Sequence, residues 1–269
     1  MTENVPSLAL TMAERMRGAP GLFGLFLAGS HGSGHADRFS DIDCVAVVAP
    51  DAHRRIADLW RSALETEEAV VYWGDRGAGP VLLNAVTEDW LRIDLITNTR
   101  EMFARRRRPD VKALLDPEDL LSGLAAEPWI HQDDPAQVAR IIDEFIRVLG
   151  LLPVALGRGE LFTGVTGSDL LRGLLKDLLV ARDARIPPGG ALHLSRVLPP
   201  EDIALLDALP FPRPDRGEII AANETIAATF FPLARAEAAR LGIPWPGAFE
   251  AAARHHLARE IEGFRVNWG

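Results

Sequence analysis

Residues 24–48 read "GLFLAGSHGSGHADRFSDIDCVAVV", and the interpretation of the whole chain turns on this stretch. An apolar strand over 22–28 breaks into small residues at Gly29 and Ser30. A second apolar strand, over 41–49, then opens with two aspartates one residue apart. Alternation along a strand puts Asp41 and Asp43 on one face and Ile42 and Cys44 on the other. No Lys or Arg within that strand offsets the pair, so the carboxylates repel until a divalent cation lies between them. Mg²⁺ binds through one or two carboxylates together with phosphate oxygens, which brings a nucleoside triphosphate with the ion. Glycine lets backbone approach a phosphate closely, and the Ser30 hydroxyl and nearby N–H groups can donate to it.

Three commoner glycine motifs fail on the same residues. A Walker loop needs Lys-Ser/Thr after Gly34, where His35 and Ala36 stand. A dinucleotide fingerprint from Gly32 needs glycine or alanine at Asp37. A nucleophile elbow needs glycines two residues to either side of Ser30 or Ser33, and neither has both.

Further on, "WLRIDLITN" carries a third acid, Asp94, on a strand whose Ile93 and Leu95 face the opposite way. Two metals about 3.5–4 Å apart need roughly three carboxylates, and this spacing supplies them. Simpler readings stand beside these: turn or capping acids at 41 and 43, an ion pair from Arg92 to Asp94, and an ordinary turn serine at 30.

The first half changes period repeatedly. Helical spacing at 6–17 and 52–66 alternates with strand-like runs, including Val70–Tyr72, Val81–Val86, Leu91–Ile96 and an edge strand in "VKALLDP" ending at Pro117. The turn "GDRGAG" separates the first two of these. This predicts an α+β (α/β-type) domain with a mixed sheet over 1–130. Beyond it the strands stop. "DDPAQVARIIDEFIRVLG" has an acidic cap, an early proline and one apolar face of Val138, Ile141, Ile142, Phe145, Ile146 and Leu149. "GSDLLRGLLKDLLVARDA" repeats the pattern with Leu170, Leu171, Leu174, Leu175, Leu178 and Leu179, and helices at 216–241 and 247–264 flank the breaker "GIPWPG". An all-α helical-bundle domain over 131–269 follows, with a proline-rich excursion at 187–214.

These features resemble the polymerase-β-like nucleotidyltransferase superfamily, whose signature is a Gly-Ser turn, Asp-x-Asp opening a strand and a third acid on a later strand. With a helical bundle behind it, the chain resembles the antibiotic nucleotidyltransferases, such as lincosamide and aminoglycoside adenylyltransferases. The motif match covers about residues 21–96, and the helical half is similar in layout only. The resemblance implies two Mg²⁺ ions on Asp41, Asp43 and Asp94, with Asp94 as metal ligand and, in some members, base. It implies nucleotide contacts from Gly29, Ser30 and Ser40, and from Arg172 and Lys176 on a bundle helix. The implied reaction moves AMP from ATP to a hydroxyl of a small molecule. An alternative is a regulatory or antitoxin module of the same fold acting on a partner protein. His31 and His35 depart from the pattern.

Composition bounds the partners. The 269 residues are 48% hydrophobic and 25% charged, ordinary for a globular chain, and the net charge of −9 opposes a phosphate-backbone surface. The N-terminus reads as an amphipathic helix rather than a signal peptide, no apolar run spans a membrane, and Cys44 is the sole cysteine. The expectation is a cytoplasmic protein without nucleic-acid or membrane partners. Only two lysines occur, Lys112 and Lys176. Asp169, Arg172 and Lys176 share a polar helix face that is either solvated or turned to a triphosphate. The run Arg105–Arg108 reads as a solvated helix end or a phosphate contact. Asp143, Glu144 and Glu160 are surface acids or contacts for a cationic acceptor. His255 and His256 are adjacent and cannot share a metal from one helix face. Trp73 and Trp90 are expected in the core, with a nucleobase stack as the alternative.

Overall fold

The computed structural model describes residues 5–184, 193–266 and 268. Residues 187–192 of the expected proline-rich excursion therefore lie outside the described residues. The chain divides into two compact units between Pro128 and Trp129.

The first unit runs α1 (Ser7–Met16), β1 (Leu22–Leu27), α2 (Gly29–Gly32), β2 (Ile42–Val48), α3 (His53–Glu67), β3 (Val70–Arg76), β4 (Leu82–Thr87), β5 (Arg92–Asn98), α4 (Arg100–Phe103) and β6 (Lys112–Leu115). Its six strands form one mixed sheet in the order β3-β4-β5-β2-β1-β6. Only β2 and β5 pair in parallel, and the other neighbours are antiparallel. Ile42, Cys44, Ala46 and Val48 face one way with Ile93 and Leu95, into a core shared with Met12 and Met16 of α1 and Ile56 and Trp60 of α3. Val45 and Val47 face the other way, against Phe26, Phe103 and Leu124. The alternation read at 41–49 is therefore the division between two cores, and Asp43 stands on the second side.

Several expectations need correction here. Asp41 sits one residue ahead of β2 rather than inside it. The "GDRGAG" turn is shorter than read, because β3 continues through Arg76 in register with β4. The Gly-Ser turn is one turn of α-helix. Trp90 is not core: it is 76% exposed. It holds a left-handed φ of 69°, inside a β4–β5 turn closed by hydrogen bonds between Thr87 and Leu91. Trp73 is partly buried, with the Arg61 guanidinium 4.9 Å above its ring.

The second unit contains α5 (Pro135–Leu149), α6 (Leu152–Gly157), α7 (Leu161–Asp183), α8 (Leu194–Val197), α9 (Pro200–Asp207), α10 (Arg216–Leu241) and α11 (Gly247–Glu260). No strand occurs among its described residues. Asp134 caps α5 by accepting from the Gln137 N–H at 2.9 Å. At the centre, Phe145 of α5 stacks on Phe230 of α10 with centroids 3.6 Å apart, and Phe231 meets both edge-on. Short helices α6, α8 and α9 supplement the four long ones. Helix α7 starts at Leu161, earlier than the leucine pattern suggests. Its poor helix formers are held by close packing: a Cβ on Gly164 would lie 3.1 Å from Ile219 of α10. Leu170, read as core, is 54% exposed. Helix α11 ends at Glu260, short of 264, and Trp268 packs back on Phe231.

Candidate metal and nucleotide site

The parallel pairing of β2 with β5 sets Asp43 directly beside Asp94. Asp41, two residues before Asp43, completes the group. One carboxylate oxygen from each of Asp41, Asp43 and Asp94 lies within 4.8 Å of the other two, and all three side chains are partly buried. Three hard oxygen donors held this closely fit Mg²⁺ by ligand type and charge.

Helix α2 lies against this group. The Ala28 N–H donates to the Asp43 carbonyl at 2.8 Å, and Gly29 follows with φ +53°. A Cβ at Gly29 would stand 1.9 Å from Asp43 Oδ2, so any larger residue there forces the Asp43 carboxylate to move. Ser30 is partly buried within the same turn. Ser40 is engaged differently: its hydroxyl accepts from the Asp37 N–H and donates to Asp37 Oδ1, bracing the loop that leads into Asp41.

Electrostatics follow from the crowding. Burial, and then the charges of Asp41 and Asp94, push Asp43 up to about 6, against the pull of Arg92 and Arg106. Asp94 is also raised, first by burial, with a hydrogen bond from Asn84 opposing the shift. His31 is lowered by burial, with Asp41 working against it. The Cys44 thiol, fully buried behind the site, is raised by burial.

Three further residues border these acids, and Asn84 is the one the sequence did not single out. Asn84 faces Asp94 across the β4–β5 register, and its Oδ1 accepts from Arg76 at 2.7 Å. The simpler reading of Asp94, an ion pair with Arg92, is not what the Arg92 side chain makes. Its Nη1 lies 3.6 Å from Asp41 Oδ2, and its Nη2 donates to the Phe39 carbonyl. Of the four consecutive arginines, Arg106 alone borders the site: with Gly29, Asp43 and Asp94 it lines a cavity of about 290 Å³. It donates to Asn98 Oδ1 at 3.4 Å. Arg107 binds the Glu127 and Pro128 carbonyls and Arg108 the Ser122 carbonyl. The sequence marks the run of four arginines as a whole and does not tell Arg106 from the others.

The remaining candidates belong to the second unit and are held locally there. Arg172 donates to Asp169 Oδ1 and the Pro210 carbonyl and stacks on Phe211. Lys176 pairs with the adjacent Asp177 at 2.7 Å. Glu144 pairs with Arg147, while His255 is exposed and His256 partly buried on α11. Among the described residues, no helix is long and apolar enough to cross a membrane.

No protein-family model matches the chain, and no curated protein matches it in sequence. Solved structures align with it at low identity. An aminoglycoside 6-adenyltransferase from Bacillus subtilis is 14% identical, with 93% of this chain and 95% of that one covered at a TM-score of 0.45. The Cid1 poly(U) polymerase with MgGTP bound is 14% identical, covering 82% and 68% at 0.29. The GLD-2–GLD-3 poly(A) polymerase complex is 19% identical, covering 35% and 36% at 0.27.

Proposed function

We propose that the chain is a Mg²⁺-dependent nucleotidyltransferase that moves a nucleoside monophosphate, AMP from ATP, onto a hydroxyl of a small molecule. The observation that carries this reading is the gathering of Asp41, Asp43 and Asp94 within 4.8 Å, beside a glycine whose missing Cβ leaves backbone against Asp43. Such repelling carboxylates destabilise a site that holds no cation. Held by these residues, Mg²⁺ would polarise the phosphoryl oxygens and neutralise triphosphate charge.

In the proposed step the acceptor oxygen bonds to the α-phosphorus, the α–β bridging P–O bond breaks, and pyrophosphate leaves. Asp94 takes the hydroxyl proton; its partial burial and raised pKa suit that role. Gly29 and Ser30 supply backbone and hydroxyl donors to the phosphates, and Arg106 adds a cation beside them. The small-molecule acceptor rests on the net charge of −9, which works against a polynucleotide backbone.

Pyrophosphate release by the full chain tests this, with each nucleoside triphosphate, Mg²⁺ and a panel of aminoglycosides, lincosamides and a short RNA. The expected result is ATP-dependent release with a small-molecule acceptor, abolished in Asp41→Asn and Asp43→Asn while circular dichroism is unchanged. Asp94→Asn should lower kcat by roughly 10²–10⁴ with nucleotide binding kept and the acidic limb of the pH profile gone. Full rescue of Asp94→Asn by excess Mg²⁺ would reduce that residue to a ligand. Wild-type turnover in Asp43→Asn would reject the reading, and release with RNA alone would overturn the acceptor class.

A further inference from the structure

The second unit contains a cavity of about 590 Å³, bordered by α5, α6, α7 and α10, that the proposed chemistry does not use. Its size lies within the ~300–1,000 Å³ typical of small-molecule sites. Leu151, Leu152, Val154 and Leu170 make apolar walls, and Leu151 and Leu170 are about half exposed. The polar feature is Asn223, only 2% exposed yet lining the cavity. Its amide nitrogen is committed, donating to Ser168 Oγ at 2.7 Å and to the Ile219 carbonyl at 2.8 Å. Its Oδ1 accepts no hydrogen bond from any described residue. Asn223 Oδ1 is not sealed from solvent: it opens on the cavity, where a ligand N–H or O–H can take the place of water as its donor.

The floor is open because α7 has glycine at 167. A Cβ there would meet nothing within 4 Å, although glycine in a helix interior costs stability relative to alanine. Charge at the cavity cancels. Arg147 is neutralised by Glu144 at 2.6 Å, and Arg158 and Glu160 oppose one another in sign. A neutral occupant matches that balance, whereas a polycation or a triphosphate does not.

We propose that this cavity is a binding site for a compact neutral organic molecule, apolar in body and carrying one N–H or O–H donor that pairs with Asn223 Oδ1. The site stands independently of the nucleotidyl-transfer reading, since every residue in it belongs to the second unit.

Saturation-transfer NMR on the full chain tests it with two probes, indole and 1-methylindole, which differ chiefly by the single donor. Indole should bind saturably, and 1-methylindole about five- to tenfold more weakly, for want of the one hydrogen bond to Asn223 Oδ1. Gly167→Leu projects a side chain into the open space without a clash and replaces a poor helix former. It should keep or raise the melting temperature and lower indole affinity at least tenfold. Equal affinity for the two probes would overturn the role of Asn223. Undiminished indole binding by a folded Gly167→Leu variant, or no saturation up to the solubility limit, would overturn the site. None of these outcomes depends on whether pyrophosphate is released.

Discussion

At the scale of single residues, the acidic group predicts a conflict between stability and metal binding. Asp43 is raised from 3.8 to about 6, chiefly by burial and then by two like charges. A carboxyl whose folded pKa is raised contributes its full stability below the unfolded value near 4, and loses it as pH rises through 6. At pH 7.5 the ionised Asp43 therefore disfavours the metal-free fold. A shift of this size corresponds to about 1–2 kcal/mol once solvent screening of a partly exposed group is allowed for. Asp43→Asn should raise the melting temperature of metal-free protein at pH 7.5, with the gain shrinking to nothing as pH falls below about 4. In the same variant, the stabilisation that Mn²⁺ gives the wild type should vanish. A lower melting temperature for Asp43→Asn at pH 7.5 would show that the carboxylate is held by favourable contacts, and the repulsion argument would fail.

At the scale of elements, the short helix α2 depends on two constraints at one residue. Gly29 has φ +53°, and its absent Cβ would fall 1.9 Å from Asp43 Oδ2. Gly34 shares the left-handed backbone at φ +75° but has nothing within 4 Å. Gly29→Ala should cost about 1–3 kcal/mol and weaken Mn²⁺ binding in calorimetry, since Asp43 must move. Gly34→Ala should cost about 1 kcal/mol and leave Mn²⁺ affinity alone. Equal effects on the metal would sever the link between α2 and Asp43. The comparison also marks what could be read from sequence. Ile42, Cys44, Ala46 and Val48 alternate with Asp43, Val45 and Val47, so period two alone separates the faces of β2. The partners of the acids were not legible in this way. Asn84 reaches Asp94 only through the register of the β4–β5 hairpin. Arg92 reaches Asp41 because β5 lies beside β2, far away in sequence. Arg106 differs from Arg105, Arg107 and Arg108 only by where α4 leaves it. The start of α7 was hidden because Thr163, Gly164, Thr166 and Gly167 are poor helix formers, and contact with α10 overrides that propensity.

At the scale of the molecule, the two units bury separate cores. The apolar clusters of the first unit end at Leu124, and that of the second begins at Val138, with no residue in common. A truncation deep in one core should therefore leave the other's stability largely intact. Phe230 tests this, being fully buried and stacked on Phe145 at 3.6 Å, with Phe231 edge-on to both. Removing the ring leaves a cavity in this packed cluster, and large aromatic truncations of this kind cost about 3–5 kcal/mol. Calorimetry of full-length Phe230→Ala should show a transition for the helical unit at lowered temperature. A second transition, belonging to the sheet-containing unit, should stay near its wild-type position. Mn²⁺ identifies the latter, because an ion that binds only the folded acidic site raises the unfolding temperature of the unit that holds it. Only the second transition should move with Mn²⁺, in the wild type and the variant alike. A single lowered transition that Mn²⁺ shifts as a whole would mean that the two cores unfold as one cooperative body.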